Sequence, residues 1–218
     1  MDPAPLWISL KVASLATLVA GVAGVGLAYV IATARFPGRG LVEALTSLPL
    51  TLPPTVLGYY LLVLLGRRSP LGMWVEATVG VPLVFTWQGA VVAAAVPSLP
   101  LVVRTVRAAF TEVSPDVLEA ARMDGAGWLH QFVYVLLPLA RRGILAGVSL
   151  GFARALGDFG TTLMVAGNIP GRTQTLPIAL YDAVQAGRGD AAGALALLLG
   201  AVAVAVLVTV GRLGERMV

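Results

Sequence analysis

Five apolar runs, at about residues 6–33, 45–65, 81–103, 143–165 and 191–210, constrain this 218-residue chain more than any other feature. Several are roughly twenty residues long, which is what a helix needs to cross a hydrocarbon layer of about 30 Å. Lipid offers the backbone no hydrogen-bond partners, so a spanning segment must be a helix or part of a closed barrel. Continuous runs of this length, rather than short alternating ones, select the helix. The sequence therefore predicts an all-α integral membrane protein of about five transmembrane helices, forming a single domain over residues 1–218. Composition agrees: 58% of residues are hydrophobic and 12% charged, about half the charged share of a soluble domain.

The first run carries one charge, Lys11, close enough to its start to snorkel to the interface beside Trp7. The chain opens Met1-Asp2-Pro3-Ala4-Pro5 with no basic segment, and the run is too long for a signal-peptide core, so it reads as a retained helix. The second run contains Leu48-Pro49-Leu50-Thr51-Leu52-Pro53-Pro54-Thr55, whose three prolines are incompatible with a regular helix. Broken backbone at membrane depth is tolerated only against protein or a water-filled cavity. The prolines therefore mark either an interior-facing break or, more simply, the cap of a short helix starting at Pro54. The third run ends with Pro97 and Pro100, and Arg104 opens a charged interval that lasts to Arg142.

The fourth run repeats glycine every fourth residue, at Gly143, Gly147 and Gly151, a ridge that lets another helix come close. It also holds Arg154 and Asp158 at i and i+4, on one helix face. Charges within a span face an interior or an aqueous cavity. The pair is either a packing ion pair or a lining of a permeation path. A polar, turn-rich stretch over 167–190 is expected to carry a short surface helix after Pro177, and the fifth run is free of charge.

Orientation follows from the arginines. With five spans and the N-terminus outside, the inner segments hold Arg35, Arg39, Arg104, Arg107, Arg122, Arg141, Arg142, Arg212 and Arg216, and the outer ones hold Arg67, Arg68, Arg172 and Arg188. The positive-inside rule then predicts a multi-pass cell-membrane protein with its N-terminus outside and its C-terminus in the cytoplasm. Other chemistry is narrowed by absence. There is no cysteine and one histidine, His130, which reads as a solvated loop residue; thiol catalysis, disulfides and Cys-based zinc sites are excluded. No catalytic triad or metal-ligand cluster is visible, so no catalytic or metal residues are assigned. The only lysine is Lys11 and no P-loop is present, so the chain does not cradle ATP phosphates in that manner. No aromatic-and-basic strip of the kind that binds single-stranded nucleic acid is visible.

The charged interval has its own helical grammar. Ser114 is a suitable N-cap, Pro115 fits the first helical position, Asp116 favours the positive end of the dipole, and Gly125 supplies a stop. A second amphipathic run, Trp128 to Leu137, halts before Pro138. Within the charged interval, Glu119-Ala120-Ala121, three residues, Gly125, nine residues, then Val135-x-Leu137-Pro138 resembles the EAA loop of ABC-importer permeases, E-A-A-x3-G-x9-I-x-L-P, with Val135 for Ile. The resemblance extends along the chain. Phe152-Ala153-Arg154-Ala155-Leu156-Gly157-Asp158-Phe159-Gly160 is similar to a stretch of oxyanion permeases, with Asp158 in place of Glu. The segments 36–38, 48–54 and 167–177 are similar to the molybdate branch of that group.

That resemblance implies a type I ABC importer permease fold, with residues 104–142 as a cytoplasmic coupling-helix loop. It implies that Glu119, Ala120, Ala121, Asp124, Gly125, Leu137 and Pro138 serve contact with a cytoplasmic ABC ATPase dimer. ATP and Mg would be bound by that partner, leaving this chain without a cofactor. It further implies an extracytoplasmic molybdate-binding protein as partner and import of molybdate, with tungstate close in size and charge; a sulfate-type permease is the alternative, and a secondary carrier or channel leaves the loop unexplained. Five spans are few for a sealed path, so a second copy of the chain, or else a different permease subunit, is expected beside it, in contact with lipid. A dianion crossing the bundle needs donors and positive potential without tight binding. Candidates for these donors are Thr51, Thr55, Arg154, Thr161, Thr162 and Arg172, the threonines alternatively bonding backbone carbonyls; Gly157, Asp158 and Phe159 join them as candidates for the path or gate, and Arg172 and Gln174 are candidates for docking the binding protein.

Overall fold

A computed structural model describes residues 2–34 and 36–215. The orientation count on Arg35 and Arg216 lies outside those residues. Eleven helices follow one another among the described residues, and no strand is found there: α1 Ala4–Thr33, α2 Arg39–Thr51, α3 Pro54–Leu65, α4 Pro70–Val79, α5 Trp87–Thr111, α6 Pro115–Met123, α7 Trp128–Leu139, α8 Arg141–Leu156, α9 Gly160–Ala166, α10 Leu176–Gln185 and α11 Gly189–Glu215. Three of them, α1, α5 and α11, are long and apolar enough to cross a membrane; the number reaches five if the bent pairs α2–α3 and α7–α8 each count as one span.

The bundle is built on α1 and α5, which pack along their length in the same direction. At one end Ile8, Val12, Ala13 and Ala16 meet Ala90, Val91, Ala94 and Ala95, with Ala155 and Leu156 of α8 completing the cluster. At the other end Ala20, Ala28 and Ile31 meet Val102, Val103, Val106 and Phe110, with Leu136 and Ala140. The expected glycine ridge sits here. α8 runs antiparallel to α5 and presents Gly143, Gly147 and Gly151 to Ala109, Val106 and Val102. A Cβ on Gly151 or on Gly24 of α1 would fall 2.8 Å from a methyl of Val102, so two helices place glycine against the same buried wedge. Small residues allow this approach because nothing stands between the backbones.

Several boundaries differ from those expected. α2 continues as a helix through Pro49, and the chain breaks only at Leu52 and Pro53, where α2 and α3 are bent by 114°. Pro54 then starts α3 from a position where its missing N–H costs nothing. The third span begins at Trp87, not at 81, and passes through both Pro97 and Pro100 to Thr111. Arg104 and Arg107 are therefore helical, and the connecting loop starts at Glu112 rather than at 104. Inside α5, Ser98 Oγ donates to Ala94 O at 2.7 Å, the kind of side-chain bond that accompanies proline in spans. The fourth span is interrupted: α8 ends at Leu156, residues 157–159 are irregular, and α9 resumes at Gly160. Lys11 does not simply snorkel; its Nζ lies 3.4 Å from the ring centre of Trp87, a cation–π contact that ties α1 to α5.

Candidate functional site

The charged loop forms as its caps require. Ser114 Oγ accepts from Asp116 N at 3.3 Å and Pro115 opens α6. At the other end Gly125 takes φ +84°, Gly125 N donates to Arg122 O at 3.0 Å, and Ala126 N donates to Ala121 O at 2.9 Å. This is a Schellman stop, and the left-handed position explains the glycine. No residue of α6 is buried; Glu119, Ala120, Asp124 and Met123 are exposed, and Ala121 is half-buried.

α7 does not halt before Pro138. It runs to Leu139 through a π turn over Gln131–Leu136, in which Leu137 N–H bonds the carbonyl of Phe132 five residues back. Leu137 is half-buried and Pro138 exposed, as are Trp128, Leu129 and Tyr134. His130 is exposed as expected, its ring 4.5 Å from that of Tyr134. Gln131, which the sequence pattern did not single out, is buried and holds the loop together: its amide donates to Ala126 O at 2.8 Å and its oxygen faces Arg122 Nε at 3.4 Å. The only hint of it in sequence is an amide inside an amphipathic run. Nearby, Glu43 of α2 pairs with both Arg39 and Arg107 at 3.0 Å, pinning α2 to α5.

The two interrupted helices meet at their breaks. A Cβ on Gly160 would lie 3.0 Å from Pro54 Cβ, one on Gly58 2.7 Å from Met164 Cβ, and Thr161 Oγ1 donates to Pro54 O at 3.3 Å. Asp158 is buried at this junction. Its carboxylate accepts from Arg154 Nη1 at 3.0 Å, from Thr162 N at 2.9 Å and from Thr162 Oγ1 at 2.7 Å. The Arg154–Asp158 pair expected from spacing is thus formed, but Asp158 stands beyond the end of α8 and caps α9, where a negative group is favoured. Phe159 packs on Tyr181, with ring centres 5.0 Å apart, and Gly157 is exposed. Thr55 lies beside Gly160 through its backbone, while Thr51 bonds only within its own helix, to Leu48 O at 2.9 Å. Arg154, Asp158, Thr161 and Thr162 are therefore brought together, and Thr51 is not.

At the end of the bundle away from the α6–α7 loop, Leu176 N donates to Ser9 Oγ at 2.7 Å, fixing the 167–176 turn against α1. Gln174 is tied to Asn168 Oδ1 at 2.8 Å, Asn168 reaches Asp182 at 3.3 Å, and Asp182 pairs with Arg188 at 3.1 Å. Arg172 is exposed on the same turn. Phe85 holds φ +60° with its side chain exposed and its N–H bonded to Val165 O at 3.0 Å, an outlier for a bulky residue.

A close-packed helical bundle with paired breaks, carrying an exposed two-helix loop at one end, is the architecture of a polytopic α-helical membrane protein. The family described as "Binding-protein-dependent transport system inner membrane component" matches residues 22–217. The molybdenum transport system permease protein ModB of Escherichia coli (strain K12) is 43% identical over 200 residues, spanning 92% of this chain and 87% of that protein. The sulfate transport system permease protein CysT of the same strain is 35% identical over 209 residues, 96% of this chain and 75% of that one. Among solved structures, an inward-facing form of the MetNI methionine ABC transporter superposes with a TM-score of 0.77 over 98% of this chain and 94% of that one, at 19% identity. The chain belongs to the binding-protein-dependent transport system inner-membrane components, and its fold is that of the type I ABC-importer permeases.

Proposed function

We propose that this chain is the membrane permease of an ATP-driven, binding-protein-dependent importer of molybdate, which also accepts tungstate. The observation that carries the substrate is the 43% identity to a molybdenum permease across nearly the whole chain, against 35% to a sulfate permease. The chemistry of ATP belongs to a partner: this chain has no P-loop, and ATP and Mg are bound by a cytoplasmic ATPase dimer. The surface of α6 and its C-cap, with Glu119, Ala120 and Asp124 exposed and Ala121 half-buried, is the one offered to that ATPase. A molybdate-binding protein docks at the other end, near Arg172 and Gln174, and a second copy of the chain completes the path. The arginine count supports an outer N-terminus and a cytoplasmic coupling loop. ATP binding and hydrolysis then bias a two-state rearrangement of the bundle.

Reconstituted vesicles test this. Labelled molybdate is expected to enter only when permease, ATPase, ATP and binding protein are all present, and tungstate is expected to compete while sulfate competes weakly. Uptake by the permease alone would sink the reading, and preferential uptake of sulfate would transfer it to the sulfate-type permeases.

A further inference from the structure

We propose that Gln131 is a positioning residue for energy coupling: with Phe132 it forms the joint through which displacement of α6 reaches the α1–α5 core. The inference rests on the permease reading above and adds a residue that the coupling-loop pattern does not contain.

Gln131 is 7% exposed, although it lies in a loop whose helix α6 buries nothing. Both ends of its amide are used, on Ala126 O at 2.8 Å and on Arg122 Nε at 3.4 Å. These partners flank Gly125, where the chain turns out of α6. A buried amide satisfied at both ends is directional, and fixes one arrangement of the groups it joins. The next residue points elsewhere. The Phe132 ring stands 4.5 Å from Tyr29 of α1 and 6.3 Å from Phe110 of α5, which are themselves 6.5 Å apart edge to face. Successive helical residues are turned by about 100°, so adjacent positions grip the loop on one side and the bundle on the other.

The backbone that carries the pair is the π turn. Such turns are rare and recur at functional sites. Pro138, one turn on, removes another N–H. The side chains, more than the helix ladder, thus set the angle of α6 against the bundle. A cavity of about 250 Å³ bordered by Tyr29, Arg122, Trp128, Gln131 and Phe132 leaves the joint room to tilt without opening the core.

The absence of cysteine permits single spin labels at Met123→Cys on α6 and Val30→Cys on α1, both exposed positions. In the assembled complex, ATP is expected to shift both labels. Gln131→Met keeps the volume and removes both bonds. The Met123 label should then still respond to ATP, while the response at Val30 falls about five-fold, the worth of one or two net hydrogen bonds. Gln131→Glu keeps the acceptor for Arg122 and is expected to restore part of the Val30 response, which a merely structural role would not do. If Gln131→Met prevents assembly, Arg122→Ala removes one of the two bonds and should lower the Val30 response in the same direction. Equal responses at both positions in these variants overturn the joint. Molybdate uptake by the wild-type complex is measured alongside; its failure with both labels responding strikes the substrate and leaves the joint standing.

Discussion

The seam between α1, α5 and α8 and the loop at α6–α7 are held by opposite means. The seam has almost no polar contacts and no space: Val102 is fully buried with glycines from two helices pressed on it. The loop has space and little burial: Met123 is 84% and Trp128 69% exposed, and the side-chain bonds that fix the end of α6 run through one glutamine. Close packing at the seam gives a rigid body whose parts move together. Sparse polar attachment gives an element that can be displaced at small cost. Under the importer reading proposed above, a machine driven from outside the membrane uses both, a stiff bundle and a handle that answers a push.

The contrast can be broken most forcefully at Asp158, where the bundle departs from its own rule and buries a charge. Asp158→Ala removes the acceptor for Arg154 and for both donors of Thr162. The expected loss is about 3 kcal/mol, the cost of leaving one member of a buried pair alone, read as thermal unfolding of the permease in detergent. Asp158→Asn keeps an acceptor and should lose markedly less. A silent Asp158→Ala would mean that water satisfies Arg154 and that the junction of the breaks is not dry.

A smaller effect is expected from Gly151→Ala, which presses a Cβ to within 2.8 Å of Val102. Overpacking of this kind costs about 2 kcal/mol. The control is Gly26→Ala on α1, where a Cβ meets nothing within 4 Å. Equal stability of the two variants would show that the seam can part, and would remove the distinction between rigid bundle and movable handle.

The handle was the more legible of the two regions. Its caps, its glycine stop and its spacing are local rules, and Ser114, Pro115 and Gly125 perform as their chemistry requires. The ridge at Gly143, Gly147 and Gly151 could be read as a close-approach face, but periodicity does not name the partner; that Gly24 shares Val102 with Gly151 is a tertiary fact. Proline is misleading at two places. Its chemistry predicts a halt before Pro138 and an irregular stretch over residues 48–55, yet Pro49, Pro97, Pro100 and Pro138 all lie within helices. Packing and a π turn absorbed the missing donors, and only the consecutive Pro53 and Pro54 broke the chain. The i, i+4 spacing of Arg154 and Asp158 allows their pairing on a continuous helix, but the helix stops between them, so the carboxylate has a second task at the first turn of α9. Gln131 was invisible because nothing local distinguishes a buried amide from an exposed one.

The smallest expected effect sharpens the comparison from the side of the handle. At Gly125 the backbone sits at φ +84° with no atom near enough to obstruct a Cβ. The whole cost of Gly125→Ala is therefore conformational, about 1 kcal/mol for an L-residue in the left-handed region. That cost falls on the Schellman stop, where Ala126 N–H is bonded to Ala121 O. Because no residue of α6 is buried, the strain removes no packing from the seam. Hydrogen exchange at the Ala126 amide is expected to quicken about five-fold, the factor that 1 kcal/mol gives in a local opening equilibrium, while the unfolding temperature of the bundle stays unchanged. A bundle that melts earlier in Gly125→Ala would mean that loop and seam form one cooperative unit, and the division into body and handle would have to be abandoned.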